Sequence, residues 1–417
     1  MTSMPSTRAT VCFTFITGGK IPMYYGSSFA YLTAIASMKA GELTYHQLMV
    51  ANNGILPPEF ISVAQFGIIF SGLVSIAAGL LVKWGGREKV EKILPAQVTG
   101  PVAMIIGLTL AGNAMMDAAP QQLADGSMQS SMVWVISLVT LFSTVIYSRK
   151  LKGFLGQLPL LLGALTGCAV AGLAYAFGAG NFFRSIPAEA LSASVWKLGD
   201  GSFFALPAFT LPTVSWAAVA AIMPIAIATI PESTAHIYQL DIYVNNEAKK
   251  KNRHFDIASM LDRNLIGDGI CDMISGAVGG PAGTNYGENI STMAITKVFS
   301  VPVMLAAGIL AMLISCFTPF IQVIFGIPVA VIGGLEIYLF GAIAAQGIAI
   351  LIDKGVSMFD SKNIAVIAVI MTFGLGVNYA FGGNIDFFGI NVPAIAGAAI
   401  LGIVLNFVLS LGDKKES

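Results

Sequence analysis

Nine stretches of this 417-residue chain stay apolar for about twenty residues each, near 60–82, 93–116, 131–147, 154–178, 214–231, 299–317, 328–352, 362–381 and 389–411. A helix of that length spans the ~30 Å hydrocarbon core of a bilayer. So many of them cannot be hidden in one water-soluble core. Four shorter runs, interrupted by Gly, Pro or polar residues, lie near 11–17, 22–38, 264–280 and 281–296. The expectation is an all-α polytopic membrane protein of about 12–13 segments. Composition agrees: 11% of residues are charged, against roughly a quarter in soluble domains. A net charge of zero gives nucleic acid nothing to bind.

The four cysteines, Cys12, Cys168, Cys271 and Cys316, sit singly in apolar runs, with no CxxC pair and no histidine at metal spacing. They read as small apolar packing residues, and no metal, haem or other cofactor is implied. The opening "MTSMPSTRATVCFTFIT" has threonines through its apolar stretch and no small-residue cleavage site, which fits a signal peptide poorly.

If the chain crosses at each run, eighteen Lys and Arg fall on one side, while Lys39, Arg184 and Lys197 fall on the other and Arg8 is unassigned. Cytoplasmic loops carry the positive excess. The C-terminus and the "NNEAKKKNRH" loop are therefore expected in the cytoplasm, and the loops 39–59, 113–130 and 179–213 outside. The "KKKNR" run is explained by topology alone.

Two of the broken runs share letters: "YGSSFAYLTAI" at 25–35 and "YGENISTMAI" at 286–295. They occupy corresponding places in two halves, and by the crossing count they run in opposite directions. Short, interrupted segments so placed are the best sequence pointer to a transporter's binding site. Non-helical backbone survives at membrane depth only where protein or a water-filled cavity satisfies its N–H and C=O groups. "TNYGENIS" and "YYGSSFAY" are thus expected as two extended crossings that meet mid-membrane. Each is followed by a half-helix whose N-terminus points a positive dipole at the centre. The same symmetry exposes a deficit. The second half begins near residue 214, about 72 residues before Tyr286, whereas 24 precede Tyr25. One helix and most of another are expected ahead of the first crossing, so the chain reads as N-terminally shortened.

A carboxylate at the bilayer centre costs about 2.5–3.5 kcal/mol or more and is functional by default. Glu232, Glu288, Glu336, Asp268 and Asp272 lie within or beside spans. In "PESTAHIYQL", Glu232 and His236 are spaced i, i+4 and share a helix face, so they can exchange a proton. Asp268 is expected to clamp neighbouring helix ends rather than touch ligand. No specific role follows for Asp272 or Glu336. A small flat ring with N–H donors and carbonyl acceptors would fit the inventory, its donors meeting Glu232 and Glu288 and its carbonyls the freed amides near Phe29 and Gly287. The rings of Phe29 and Tyr286 would wall its flat face. An inorganic-anion carrier would need Arg or Lys at the centre, and only Lys297 comes near. A membrane enzyme would need a nucleophile–base pair or metal triad, and neither stands out.

At these residues the chain resembles a known family. "GKIPMYYGSSFAY", "PESTAHI" and "NYGENISTMAITKVFS" look like the three signature regions of the nucleobase–ascorbate transporters, also called the second nucleobase–cation symporter family, and most closely its uracil permease branch. The family pattern reads Gln, Glu or Pro, then Asn-x-Gly, four variable residues, Thr, and Arg, Lys or Gly. Here it is Glu288-Asn289-Ile290-Ser291, then Thr296-Lys297, with Ser291 in place of Gly. The resemblance implies a seven-plus-seven inverted-repeat transporter in which a core and a gate domain move against each other, commonly as a homodimer through the gate. It divides the chain into 11–90 (core), 91–180 (gate), 181–213 (extracellular loop), 214–317 (core) and 318–411 (gate). It implies substrate-binding roles for Glu232, Glu288, Phe29, Gly287 and Tyr286, and proton coupling through His236 and Glu232. Ser28, Asn289, Asp268 and Thr296 are implied as structural motif positions. Xanthine and urate carriers of the family usually have Gln where Glu288 stands, and ascorbate carriers have Pro. The function so implied is proton-coupled uptake of uracil across the cell membrane. The alternatives are a xanthine- or purine-selective member and an inactive, N-terminally truncated fragment.

Overall fold

The structure is a computed structural model that describes residues 3–28, 30–40, 43–44, 57–86, 94–122, 126–184, 204, 209–387 and 390–411. In the first half, helix α1 (Ser3–Ile16) leads through two left-handed glycines, Gly18 and Gly19, to the short strand β1 (Tyr25–Ser27) and half-helix α2 (Ala30–Ser37). A small hairpin, β2 (Lys39–Ala40) with β3 (Leu43–Thr44), precedes the long helices α3 (Pro58–Gly85), α4 (Ala96–Ala118), α5 (Met132–Lys150) and α6 (Pro159–Ala176). The second half opens with α7 (Trp216–Ile222), a 3-10 turn at Met223–Ile225, α8 (Ala226–Ala248) and α9 (Leu261–Val278). It then repeats the earlier order: strand β4 (Gly283–Asn285), half-helix α10 (Gly287–Thr296), α11 (Val301–Ser315), a short α12 (Thr318–Phe325), and α13 (Val329–Asp353) and α14 (Ser361–Phe381). A hairpin of β5 (Asn384–Phe387) and β6 (Ile390–Pro393) leads to α15 (Ala394–Ser410).

β1 and β4, from opposite halves, pair antiparallel with Tyr25 opposite Asn285, Gly26 opposite Thr284 and Ser27 opposite Gly283. Antiparallel pairing is what an inverted repeat requires of its two equivalent strands. Three residues at ~3.3 Å each cover about 10 Å, and a ten-residue half-helix adds about 15 Å. Strand and half-helix together therefore make one crossing that neither makes alone.

Among the described residues, six helices are long and apolar enough to cross a membrane: α3, α4, α5, α6, α13 and α14. Shorter apolar helices are α11, α15 and the stretch Trp216–Ile225. Two expected boundaries move. The run ending near 231 is broken at the 3-10 turn, whose first positions take Pro224 where its missing N–H costs nothing, and it continues as α8 through Pro231 to Ala248. The expected extended stretch "TNYGENIS" is extended only to its N-cap Tyr286, and Gly287 to Ile290 form the first turn of α10. From there Ile290 and Met293, three apart and both buried, give the chain a helical face to pack.

α3 lies against α9, α4 against α13, α5 against α6, and α14 against α15, while α1 packs on α9 and α11. Small residues let these backbones approach, as is usual where lipid supplies no hydrophobic drive. Gly72 of α3 and Gly269 of α9 each face the other's carbonyl oxygen, and Gly100 and Gly347 do the same between α4 and α13. A Cβ on Gly269 would also come 2.7 Å from Ile76. Gly269→Val is therefore expected to cost about 1–3 kcal/mol or more by forcing the helices apart, read as a lower thermal unfolding midpoint in detergent. Gly172→Ala, with nothing within 4 Å, should leave that midpoint unchanged or slightly raised.

Candidate functional site: the paired strands

The paired strands are buried, and each is closed off by its neighbours. Tyr25 N–H donates to Thr10 Oγ1 at 3.1 Å, and the same hydroxyl donates to the Tyr25 carbonyl at 2.6 Å, so α1 satisfies the free edge of β1. Beyond the three paired residues, Ser28 N–H donates to the Ala282 carbonyl and Tyr286 N–H to the Tyr24 carbonyl, both at 3.0 Å. Protein thus meets the hydrogen-bonding demand that lipid cannot.

Two glycine–tyrosine contacts set the strand spacing. A Cβ on Gly26 would lie 2.5 Å from Tyr286 Oη, and Gly283 faces the ring of Tyr25. Gly26 stands as far ahead of Ala30 as Gly283 does of Gly287. The structural repeat therefore equates these glycines, and the shared letters Tyr25-Gly26 and Tyr286-Gly287 are offset from it. Tyr286 caps α10, donates from Oη to the Ser27 carbonyl at 3.0 Å and tilts over Tyr24 with ring centroids 5.6 Å apart.

A polar stripe on α9 holds both strands. Asp272 Oδ1 accepts from Tyr25 Oη at 2.7 Å and from Gly283 N–H at 2.6 Å, one donor from each strand. One turn earlier, Asp268 accepts from Asn285 Nδ2 at 3.0 and 3.2 Å, and Asn264 Oδ1 accepts from the same nitrogen at 3.1 Å. Asp268 also hydrogen-bonds Ser233 of α8. It therefore ties strand to helix from the middle of α9, rather than a helix end as its sequence position suggested.

On α8, Glu232 is partly buried and within electrostatic reach of Asp268. One turn on, His236 hydrogen-bonds the Asn285 backbone, while its Nδ1 is buried without a partner. Its Nε2 lies 2.7 Å from where a Gly287 Cβ would be, so Gly287 makes room for the imidazole. α10 starts there with no side-chain cap at Tyr286, leaving its first amides as donors beside the strands. Ser28 is buried, and its Oγ accepts from Ala30 N–H at 3.3 Å, starting α2. Asn289 is partly buried. Phe29 and the side chain of Glu288 lie outside the described residues, although Glu288 is the second residue of α10. Thr296 is not brought to the strands. It is exposed at the far end of α10, about 13 Å along the axis, and its hydroxyl donates to the Thr292 carbonyl.

Sequence reasoning missed Asp272 as the clamp of both strands, together with Asn264 and Thr10. A signal was present: Asn264, Asp268 and Asp272 repeat every four residues, one face of one helix, inside an otherwise apolar segment. A cleft of about 1050 Å³ lies away from the strands, lined in part by Lys251, Arg253, Arg263 and Lys297.

Residues 4–383 match the profile of the Permease family Xan_ur_permease. The uracil permease of Bacillus caldolyticus is 32% identical, covering 97% of this chain and 84% of the relative. The uracil permease of Bacillus subtilis is 31% identical over 98% of this chain and 86% of its own. A pyrimidine permease described as such only by inference in Escherichia coli, RutG, is 33% identical over 96% and 81%. Among solved structures, SLC26A9 superposes with a TM-score of 0.58 at 9% identity, covering 97% of this chain and 63% of that one, a likeness of fold alone. The relatives are permeases rather than enzymes, the fold is that of a multi-pass membrane transporter, and the chain belongs to the permease family that its signature stretches resemble.

Proposed function

We propose that the chain is a secondary active carrier that takes up uracil together with a proton by alternating access. What supports this most is the convergence of Glu232, His236 and the uncapped start of α10 on the end of the β1–β4 pair. Uracil offers two N–H donors and two carbonyl acceptors on a flat ring. Carboxylates at Glu232 and Glu288 match the donors, and amides near Phe29 and at Gly287 match the acceptors, with Phe29 and Tyr286 against the ring. His236, one turn from Glu232, is proposed to pass the coupling proton.

The helices that hold the strands, α1–α3 and α7–α11, form the moving core in this reading, and α4–α6 with α12–α15 form the gate, through which two copies would pair. The excess of Lys and Arg in the loops on one side supports a cytoplasmic C-terminus in this reading, with the carrier in the plasma membrane. Cells expressing the chain should accumulate labelled uracil, and a protonophore should abolish the accumulation. Uptake that ignores the protonophore removes the proton. Uptake that excess xanthine suppresses more strongly than unlabelled uracil does would instead make this a purine carrier.

A further inference from the structure

A second pair of acidic side chains meets far from the strands. Asp117 is the penultimate residue of α4, and Glu336 lies on α13. The two backbones touch at Gly333, where a Cβ would stand 2.5 Å from the Asp117 carbonyl carbon. Glu336 follows Gly333 by three positions and so projects from the same face. Its side chain hydrogen-bonds that of Asp117. Glu336 Oε2 is buried without a partner. The Ala118 carbonyl accepts from Ser137 Oγ at 2.8 Å, which fixes the end of α4 against α5.

Carboxylates only accept hydrogen bonds, so two carboxyl groups can bond to each other only when at least one carries a proton. An ionised Glu336 would leave a charged, unpartnered oxygen in the interior, whereas a neutral acid leaves only a carbonyl oxygen bare. Few charges among the described residues face the pair. Arg184 acts on Glu336 from the loop after α6, and its backbone N–H donates to the Gly326 carbonyl at 3.1 Å. α5 contributes Val133 and Ser137 nearby, with its own Arg149 and Lys150 at the opposite end, and α6 carries no charged residue. A cleft of about 420 Å³, lined by Asp117, Gln121, Gln129 and Arg184, gives water and protons a route to the pair.

We propose that Asp117 and Glu336 form a second proton-binding site, holding one shared proton that clasps the end of α4 to α13. When the proton leaves through the cleft, two anions remain against Arg184, the cation that acts on Glu336 among the described residues, and the clasp opens. The site then reads the pH on the side away from the basic loops. This does not depend on which solute the strands bind.

Infrared spectroscopy of the purified protein tests it. The wild type should show a protonated-carboxyl stretch that disappears as pH rises. Glu336→Gln and Asp117→Asn should each lack that component, because an amide donates to the remaining carboxylate without a shared proton. Thermal stability of the wild type should fall over the same pH limb, and Glu336→Gln should flatten it. Arg184→Gln, in the loop and outside the pair, should move the limb to higher pH by removing the cation that favours the anions. Spectra of Glu336→Gln and Asp117→Asn that match the wild type overturn the shared proton. An Arg184→Gln limb that stays in place overturns the proposed charge balance, and that variant decides the matter should the other two fail to fold.

Discussion

Asp272→Ala is expected to unfold the strand crossing and to lower stability by about 3–5 kcal/mol, more than any other single change at the site. The substitution strips the acceptor from two buried donors, Tyr25 Oη–H and Gly283 N–H. Each buried donor left unsatisfied costs about 1–3 kcal/mol. Tyr25 keeps one weaker outlet, the Asp268 carbonyl at 3.1 Å, so the loss at Tyr25 is partial and the loss at Gly283 complete. Graded variants separate the two. Tyr25→Phe should cost least, since it removes donor and bond together. Asp272→Asn should be intermediate, since its amide oxygen still accepts. Thermal unfolding in detergent ranks the three, and an Asp272→Ala protein as stable as the wild type would mean that the α9 stripe does not hold the strands.

Glu288→Gln should leave the fold intact and remove uracil transport, with uptake falling to background or preference moving toward xanthine. A carboxylate offers a ring N–H group only acceptors, whereas an amide turns one acceptor into a donor and can set N–H against N–H. Sites built to pair a ligand's polar groups discriminate strongly, because the mismatch leaves buried groups unpaired. A loss of 100-fold or more, roughly 3 kcal/mol, is expected. Unchanged uracil uptake with unchanged stability would place the binding site elsewhere.

Much of this fold could be read before any coordinates. Segments such as 60–82 and 328–352 announce themselves, because helices in lipid need little beyond length and apolarity. The meeting of two interrupted segments also followed, since broken backbone must be shielded. Where each strand ends did not. "TNYGENIS" contains β-compatible Thr, Tyr and Ile, yet the helix starts at Gly287, because Ile290 and Met293 bury one helical face and outweigh local preference. The letter match of Tyr25-Gly26 with Tyr286-Gly287 misled about register for a related reason. The constraint is steric, a glycine against the partner half's tyrosine ring, and it equates Gly26 with Gly283. That Glu232 and His236 lie one turn apart on one helix followed from their spacing alone. Asp272 was not assigned, because its partners, Tyr25 and Gly283, come from two strands whose pairing spans most of the chain.

The proposed function has uracil bind at the strand ends, and amide hydrogen exchange of the purified protein with and without uracil reads that location directly. Binding at the strand ends predicts slowed exchange confined to residues near Tyr24–Ser28 and Tyr286–Ile290, with Glu232→Gln abolishing the effect. Protection that appears instead around Lys251–Arg263, at the large basic cleft, or saturable uracil binding with no change at either strand, would contradict it.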